Sequence, residues 1–117
     1  MSPKRGERVA PPPGPGEYDL FFATSEAAKG WVDLCGQAPA NAYELWRRLR
    51  LDPAPRAQTT RHHQLKGSLS TAAYRGRWLP QWQYEVTAGG RVWFLVDVGL
   101  RRVYLTYARV GHPKATE

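Results

Sequence analysis

The feature that most constrains this chain is a change of apolar period at Pro53-Ala54-Pro55. Before it, apolar residues recur every three or four positions, as a helix requires; after it they alternate, as a half-buried strand requires. Proline lacks a backbone donor and clashes with the preceding helical turn, so the two prolines forbid a helix from running through. Helical spacing first and strand spacing second point to an α+β fold.

In the first half, Tyr18-Asp19-Leu20-Phe21-Phe22-Ala23 reads as a strand. Thr24 or Ser25 can cap the helix that follows, and Glu26 puts a negative charge where the helix dipole favours one. Ala27, Ala28, Trp31, Leu34 and Cys35 are expected in the core, with Gly36 ending the helix. Pro39 suits the first position of a second helix whose apolar stripe is Ala38, Ala42, Leu45, Trp46 and Leu49. Arg47, Arg48 and Arg50 occupy its last turn, where cations complement the dipole. Two helices this close in sequence form an antiparallel hairpin. Residues 1–17 contain Pro11-Pro12-Pro13-Gly14-Pro15-Gly16 and read as a flexible Pro/Gly-rich tail, leaving residues 18–117 as one domain.

In the second half, short strands are expected at Arg61–Lys66 and Tyr74–Arg77. Gln81–Thr87 and Arg91–Val98 alternate cleanly, and Arg101–Arg109 returns as the last strand. Gly99-Leu100 fits a two-residue turn with glycine first, which sets Val96 against Val103, Phe94 against Leu105 and Asp97 against Arg102. A three-residue loop Ala88-Gly89-Gly90 sets Tyr84 against Phe94 and Val86 against Val92. The expected fold is an N-terminal strand and antiparallel helix hairpin packed on a twisted antiparallel sheet of about four to five strands. Trp82, Tyr84, Val86, Val92, Phe94, Val96, Val103, Leu105 and Tyr107 are expected to face the helices. Gln81, Gln83, Glu85, Arg91, Trp93, Arg102 and Tyr104 are expected on the open side.

Charge bears on the partner. Among 117 residues, 17 are Lys or Arg and 10 are Asp or Glu, a net charge of +7. Arginines outnumber lysines 13 to 4, and the planar guanidinium grips phosphate with two parallel bonds. The excess is local: residues 51–117 hold ten basic groups, four acidic groups and all three histidines, whereas residues 18–50 hold four of each sign. Such a field favours a polyanionic partner. No apolar run is long enough for a membrane span, so no membrane partner is expected, and the N-terminus has no signal-like apolar stretch. Cys35 is the single cysteine, so no internal disulfide can form, and a reducing, cytoplasmic location is expected.

Several segments also carry a likeness. Leu65-Lys66-Gly67 follows the helix hairpin, and Tyr74-Arg75-Gly76-Arg77 has two basic residues at alternate positions. Gln81-Trp82-Gln83-Tyr84-Glu85-Val86 makes a strand, and Val98-Gly99-Leu100-Arg101 with Val103-Tyr104 makes a closing hairpin. In this order, from Tyr18 to His112, they resemble the RelE/ParE superfamily of toxins from bacterial type II toxin–antitoxin systems. Members commonly carry Tyr-Arg-x-x-Tyr-x-Val in that strand. Gln81 stands in place of the arginine, so Arg75, Arg77, Arg91 or Arg101 has to supply its charge. The resemblance implies a ribosome-dependent mRNA endoribonuclease acting in the 30S decoding site, held inactive by a cognate antitoxin, with no cofactor or metal. Two further readings share the fold: a ParE-like, non-enzymatic inhibitor of DNA gyrase, and an inactive RNA-binding module.

Cleavage of that kind needs a base for the 2′-hydroxyl, an acid for the leaving 5′ oxygen and cations around the phosphate. Histidine is the side chain whose ordinary pKa suits proton transfer near neutrality, and the chain has three, His62, His63 and His112. By resemblance, His63 stands where some members carry an acidic catalytic group, and His112 where relatives often finish the site. Arg75 and Arg77, sharing a face at strand spacing, are expected on one phosphate path. Arg101 matches the family's hairpin arginine, and Tyr104 can stack on a base or donate a proton. The expected catalytic group is therefore His63, Arg75, Arg77, Arg101, Tyr104 and His112. His62, Lys66, Gln81, Arg91, Trp93, Arg102 and Lys114 are expected to bind RNA around it. Plain structural roles compete for several of these: a cross-strand pair with Asp97 for Arg102 and with Glu85 for Arg91, a solvated strand edge for Arg75 and Arg77, a cover over Leu95 for Trp93, and solvent pairing for His62.

Overall fold

In the computed structural model, which describes residues 3–111, a single residue joins the helix hairpin. Helix α1 spans Ser25–Gln37 and α2 spans Pro39–Leu51. A residue before proline is pushed out of the helical region, so Ala38 (φ −140°, ψ 64°) ends α1, while Gly36, expected as the stop, stays helical. The Ala38 N–H donates to Leu34 O at 2.8 Å and its carbonyl accepts from Ala42 N at 2.9 Å, so it closes both helices. The Thr24 hydroxyl accepts from Ala27 N and donates to Thr106 O, both at 3.0 Å, tying the start of α1 to the sheet. Ala27, Ala28, Trp31, Leu34, Ala42, Leu45 and Leu49 are buried, as their spacing predicts. Cys35 is exposed instead, because Leu34 takes the buried position and the next residue turns about 100° away.

The strands are β1 (Asp19–Phe22), β2 (His62–Gln64), β3 (Thr71–Tyr74), β4 (Arg77–Thr87), β5 (Gly90–Asp97) and β6 (Arg102–Arg109). They form a sheet ordered β1-β6-β5-β4-β2, with β3 paired only to the first residues of β4. All pairs are antiparallel except β1 with β6, so the expected antiparallel sheet gains a parallel edge. Between β5 and β6, Val96 opposes Val103, Phe94 opposes Leu105 and Asp97 opposes Arg102, as predicted. Their turn differs: Arg101, not Gly99, takes positive φ (54°), and the Asp97 carboxylate accepts from Leu100 N at 3.0 Å.

Two residues, Ala88 and Gly89, join β4 to β5 rather than three, and a bulge between Glu85 and Thr87 follows. Tyr84 therefore opposes Val92 and Trp82 opposes Phe94. The displacement from the expected register is even, so the same apolar set still faces the helices. A second bulge, at Thr106, reverses parity in β6. Beyond it Ala108 and Val110 pack on the helix side, and Tyr107, expected there, turns to the open side.

That open side is partly roofed. Ala72, Tyr74 and Leu79 of the β3–β4 hairpin close over Phe21, Ala23, Leu95 and Tyr104 as a second apolar cluster. The strand expected at Tyr74–Arg77 is this hairpin's turn, since Arg75 and Gly76 both take positive φ (52° and 79°). The N-terminal segment, expected to be loose, is a strap along β1. Gly6 N and Val9 N donate to Phe22 O and Leu20 O at 2.6 and 2.7 Å, and Phe22 N returns a bond to Glu7 O at 2.9 Å. Arg50 is buried and anchors the strap, donating to Glu17 Oε1 at 2.8 Å and to the carbonyls of Pro11 and Pro12 at 2.9 and 2.7 Å. Among the described residues, no helix is long and apolar enough to cross a membrane.

Candidate nucleic-acid interface

Strand pairing builds the open face line by line. His63 opposes Gln83, Gln83 opposes Trp93, and Trp93 opposes Tyr107. Directly paired side chains project from the same side, so these four form one line across four strands, about 14 Å long. The Trp93 indole N–H donates to Gln83 Oε1 at 2.9 Å, which fixes the ring. Tyr107 lies against it with ring centroids 5.1 Å apart. The neighbouring line is Glu85, Arg91 and Arg109, which brings two guanidinium groups beside the aromatic pair. Gly89, Arg91, Trp93, Tyr107, Arg109 and Gly111 enclose a shallow recess there.

His63 closes the other end of the line. Its Nδ1 lies 3.0 Å from Thr60 O and 3.2 Å from Thr59 O. Carbonyls only accept, so in the neutral ring Nδ1 carries the proton and Nε2 keeps its lone pair. An imidazole held in that tautomer can take a proton at Nε2. Lys66 and His63 line a second recess together with Gln58, Thr59, Thr60 and Gln64.

The other expected residues are placed differently. His62 points to the opposite side, as alternation demands once His63 faces out. It is buried, its Nε2–H donates to Pro53 O at 2.7 Å, and its ring meets Trp82, Tyr84 and Phe94 edge-on at 5.7, 5.2 and 5.9 Å. Burial holds its pKa below 6.5, against the Pro53 bond. His62 is a core residue and not an RNA contact. Gln81, also buried, donates to Leu69 O at 2.9 Å and accepts from Thr106 Oγ1 at 2.8 Å, so it too is closed to RNA. Tyr104 lies beneath Tyr74 with ring centroids 4.5 Å apart and is 8% exposed, which removes it from a catalytic role.

The arginines divide. Arg77 binds the carboxylate of Asp97, which is 2% exposed, and so takes the acid expected for Arg102. The Arg102 guanidinium lies 5.5 Å from the Phe21 ring centroid instead. Arg75 sits in the turn and Arg77 opens the strand after it, so they do not share a strand face. Arg101 donates to Gly16 O at 3.0 Å. The line of Asp97 is four residues along β5 from that of Trp93, about 13 Å. Arg75, Arg77, Arg101 and Arg102 therefore gather at one end of the sheet, and Leu95 and Tyr104 separate them from Trp93, Arg91 and His63. His112 and Lys114 lie outside the described residues.

Tyr107 and Arg109 are functional candidates that alternation conceals. Val103, Leu105 and Tyr107 continue one face in sequence, and only the apolar Ala108 and Val110 in the opposite parity betray the bulge. In comparisons with protein-family models, curated proteins and solved structures, the chain matches none.

Proposed function

We propose that the chain is a RelE/ParE-type toxin that binds single-stranded mRNA along the open face of its sheet and cuts it with His63 as base. The observation that carries this reading is the line His63, Gln83, Trp93, Tyr107 with Arg91 and Arg109 beside it. An aromatic pair offers its π-faces to unstacked bases, and neighbouring guanidinium groups hold the phosphates between them. The order of strand, helix hairpin and antiparallel meander supports the superfamily, and a net charge of +7 supports a polyanion. In the reaction, His63 Nε2 takes the 2′-hydroxyl proton and the 2′ oxygen attacks phosphorus. The 5′ oxygen leaves with a proton from a second group, for which His112 is the candidate. Lys66 and Arg91 supply the positive charge that Arg77, held by Asp97, does not. The cognate antitoxin and the ribosome follow from the superfamily reading as partners.

RNA binding without cleavage is the second reading, favoured by the Trp93–Tyr107 pair because stacking needs no proton transfer. Induced expression with growth measurement, mRNA end-mapping and an RNA-binding assay tests both. Wild type is expected to arrest growth and leave cuts in translated mRNA. His63→Ala abolishes the cuts but keeps RNA binding, and Trp93→Ala weakens binding by about tenfold. Binding without cuts selects the second reading. Absence of RNA binding by wild type refutes both, and a block of supercoiling with translation intact selects a gyrase inhibitor.

A further inference from the structure

The β3–β4 hairpin has an outer surface that this site does not use. Its inner residues Ala72, Tyr74 and Leu79 are spent on the second apolar cluster. Trp78 projects the other way and is 73% exposed, the most exposed large hydrophobic side chain among the described residues. Its cross-strand partner is Ala73, too small to shield an indole. Tryptophan is highly buried on average, and with tyrosine and arginine it is enriched among the residues that anchor interfaces.

The surroundings indicate what the anchor meets. Residues 61–84 contain no carboxylate and the basic Arg61, Lys66, Arg75 and Arg77, of which Arg77 is neutralised by Asp97. Arg75 occupies the first position of the two-residue turn at φ 52°, where glycine, asparagine or aspartate is the usual occupant. Its guanidinium lies 5.3 Å from the Tyr74 ring, and among the described residues it forms no ion pair. A bare indole on β4, three residues from an exposed guanidinium in the turn of the same hairpin, suits a nucleobase with its phosphate, rather than an apolar protein face.

We infer that the outer side of this hairpin is a second RNA contact, in which Trp78 stacks on an unpaired base and Arg75 holds an adjoining phosphate. The inference rests on reading the chain as an RNA-binding protein. Trp78 and the Trp93 line lie in different parts of the sheet, so a short oligonucleotide reaches one of them and a longer strand reaches both.

The full chain and its Trp78→Ala, Arg75→Ala and Trp93→Ala variants are titrated with fluorescein-labelled single-stranded oligouridylate of about 4 and about 20 nucleotides over a range of salt. Trp78→Ala is expected to weaken binding of the long strand about tenfold, with little change in salt dependence. Arg75→Ala is expected to reduce the salt slope for the long strand by about one. Thermal unfolding should be unchanged in Trp78→Ala, whose indole is exposed, and nearly so in Arg75→Ala, which loses the contact with the Tyr74 ring. Wild-type affinity for the long strand in Trp78→Ala, alongside a loss in Trp93→Ala, overturns the inference and leaves the proposed function standing. Loss in Trp78→Ala with none in Trp93→Ala supports the hairpin and refutes the Trp93 line. A Trp78-dependent affinity for anionic phospholipid vesicles, with RNA binding unaffected, assigns the indole to a membrane surface and overturns the inference.

Discussion

Thr106 donates its hydroxyl to Gln81 across 2.8 Å, and Gln81 passes a second bond to Leu69 O at 2.9 Å. This pair sets the shape of the open face. Thr106 is the bulged residue that turns Tyr107 towards Trp93, and Leu69 belongs to the short helical turn before the β3–β4 hairpin. Gln81→Leu fills the space but leaves the Leu69 carbonyl and the Thr106 hydroxyl without partners. Stability is expected to fall by about 2 kcal/mol, read as a Tm several degrees lower. Unchanged stability would mean that the bulge holds itself.

The sequence carried the outline of this arrangement and missed its corners for definable reasons. Helix burial follows from spacing, and the Val96–Val103 register from a hairpin short enough to leave one solution. Between β4 and β5, a three-residue loop and a two-residue loop with a bulge satisfy the same apolar pattern, so pairing shifted while facing did not. Nothing in an arginine advertises positive φ, so Arg75 at a hairpin tip read as strand. The roof over Tyr104 was illegible for the same reason: which part of an open face is covered depends on where that hairpin folds. Trp93 was legible because alternation alone puts it outside, whereas His63 was singled out by the resemblance and its outward side follows only from its pairing with Gln83.

His62 makes stability depend on pH. Burial depresses its pKa below 6.5, the bond to Pro53 opposes the shift, and Arg48 and His63 favour the neutral ring while Asp52 favours the charged one. The unfolded chain therefore takes the proton first, and stability is lost as pH falls through 6.5, levelling once the folded ring also protonates. His62→Phe keeps the aromatic contacts and removes the titration. Chemical denaturation midpoints measured from neutral to mildly acid pH should fall in wild type. In the variant that part of the slope should vanish, with a constant loss of about 1–3 kcal/mol from the unpartnered Pro53 carbonyl.

The strap depends on Arg50. The Glu17 carboxylate is held below its ordinary range by the Gly14 backbone N–H and then by Arg50. A depressed carboxylate contributes above its unfolded pKa and loses that contribution as pH falls through the folded value. Arg50→Met removes the bonds to Glu17, Pro11 and Pro12 together. Limited proteolysis at neutral pH should then cut the N-terminal segment several-fold faster, while the helices and sheet unfold as one transition. Acid conditions should produce the same early cut in wild type. Equal cutting of variant and wild type at neutral pH would show that Val9 and the β1 hydrogen bonds hold the strap alone.

Two glycines in α1 should respond to alanine with opposite signs. In an exposed helix interior, alanine is favoured over glycine by about 1 kcal/mol. Around Gly36 no atom lies within 4 Å of the added Cβ, so Gly36→Ala should raise stability by somewhat less than that, given its place in the last turn. Gly30 faces β6, and its Cβ would stand 2.0 Å from Ala108 O and 2.7 Å from Ala108 C. Backbone cannot yield as a side-chain end can, so α1 would have to lift from the sheet, at a cost of about 3 kcal/mol. Ala108 follows the Thr106 bulge, so that lift strains the segment that presents Tyr107. Gly30→Ala should therefore lower the Tm sharply and weaken RNA binding as well, whereas Gly36→Ala changes only the Tm, upward. Equal effects in the two variants would show that α1 does not rest on β6 through Gly30.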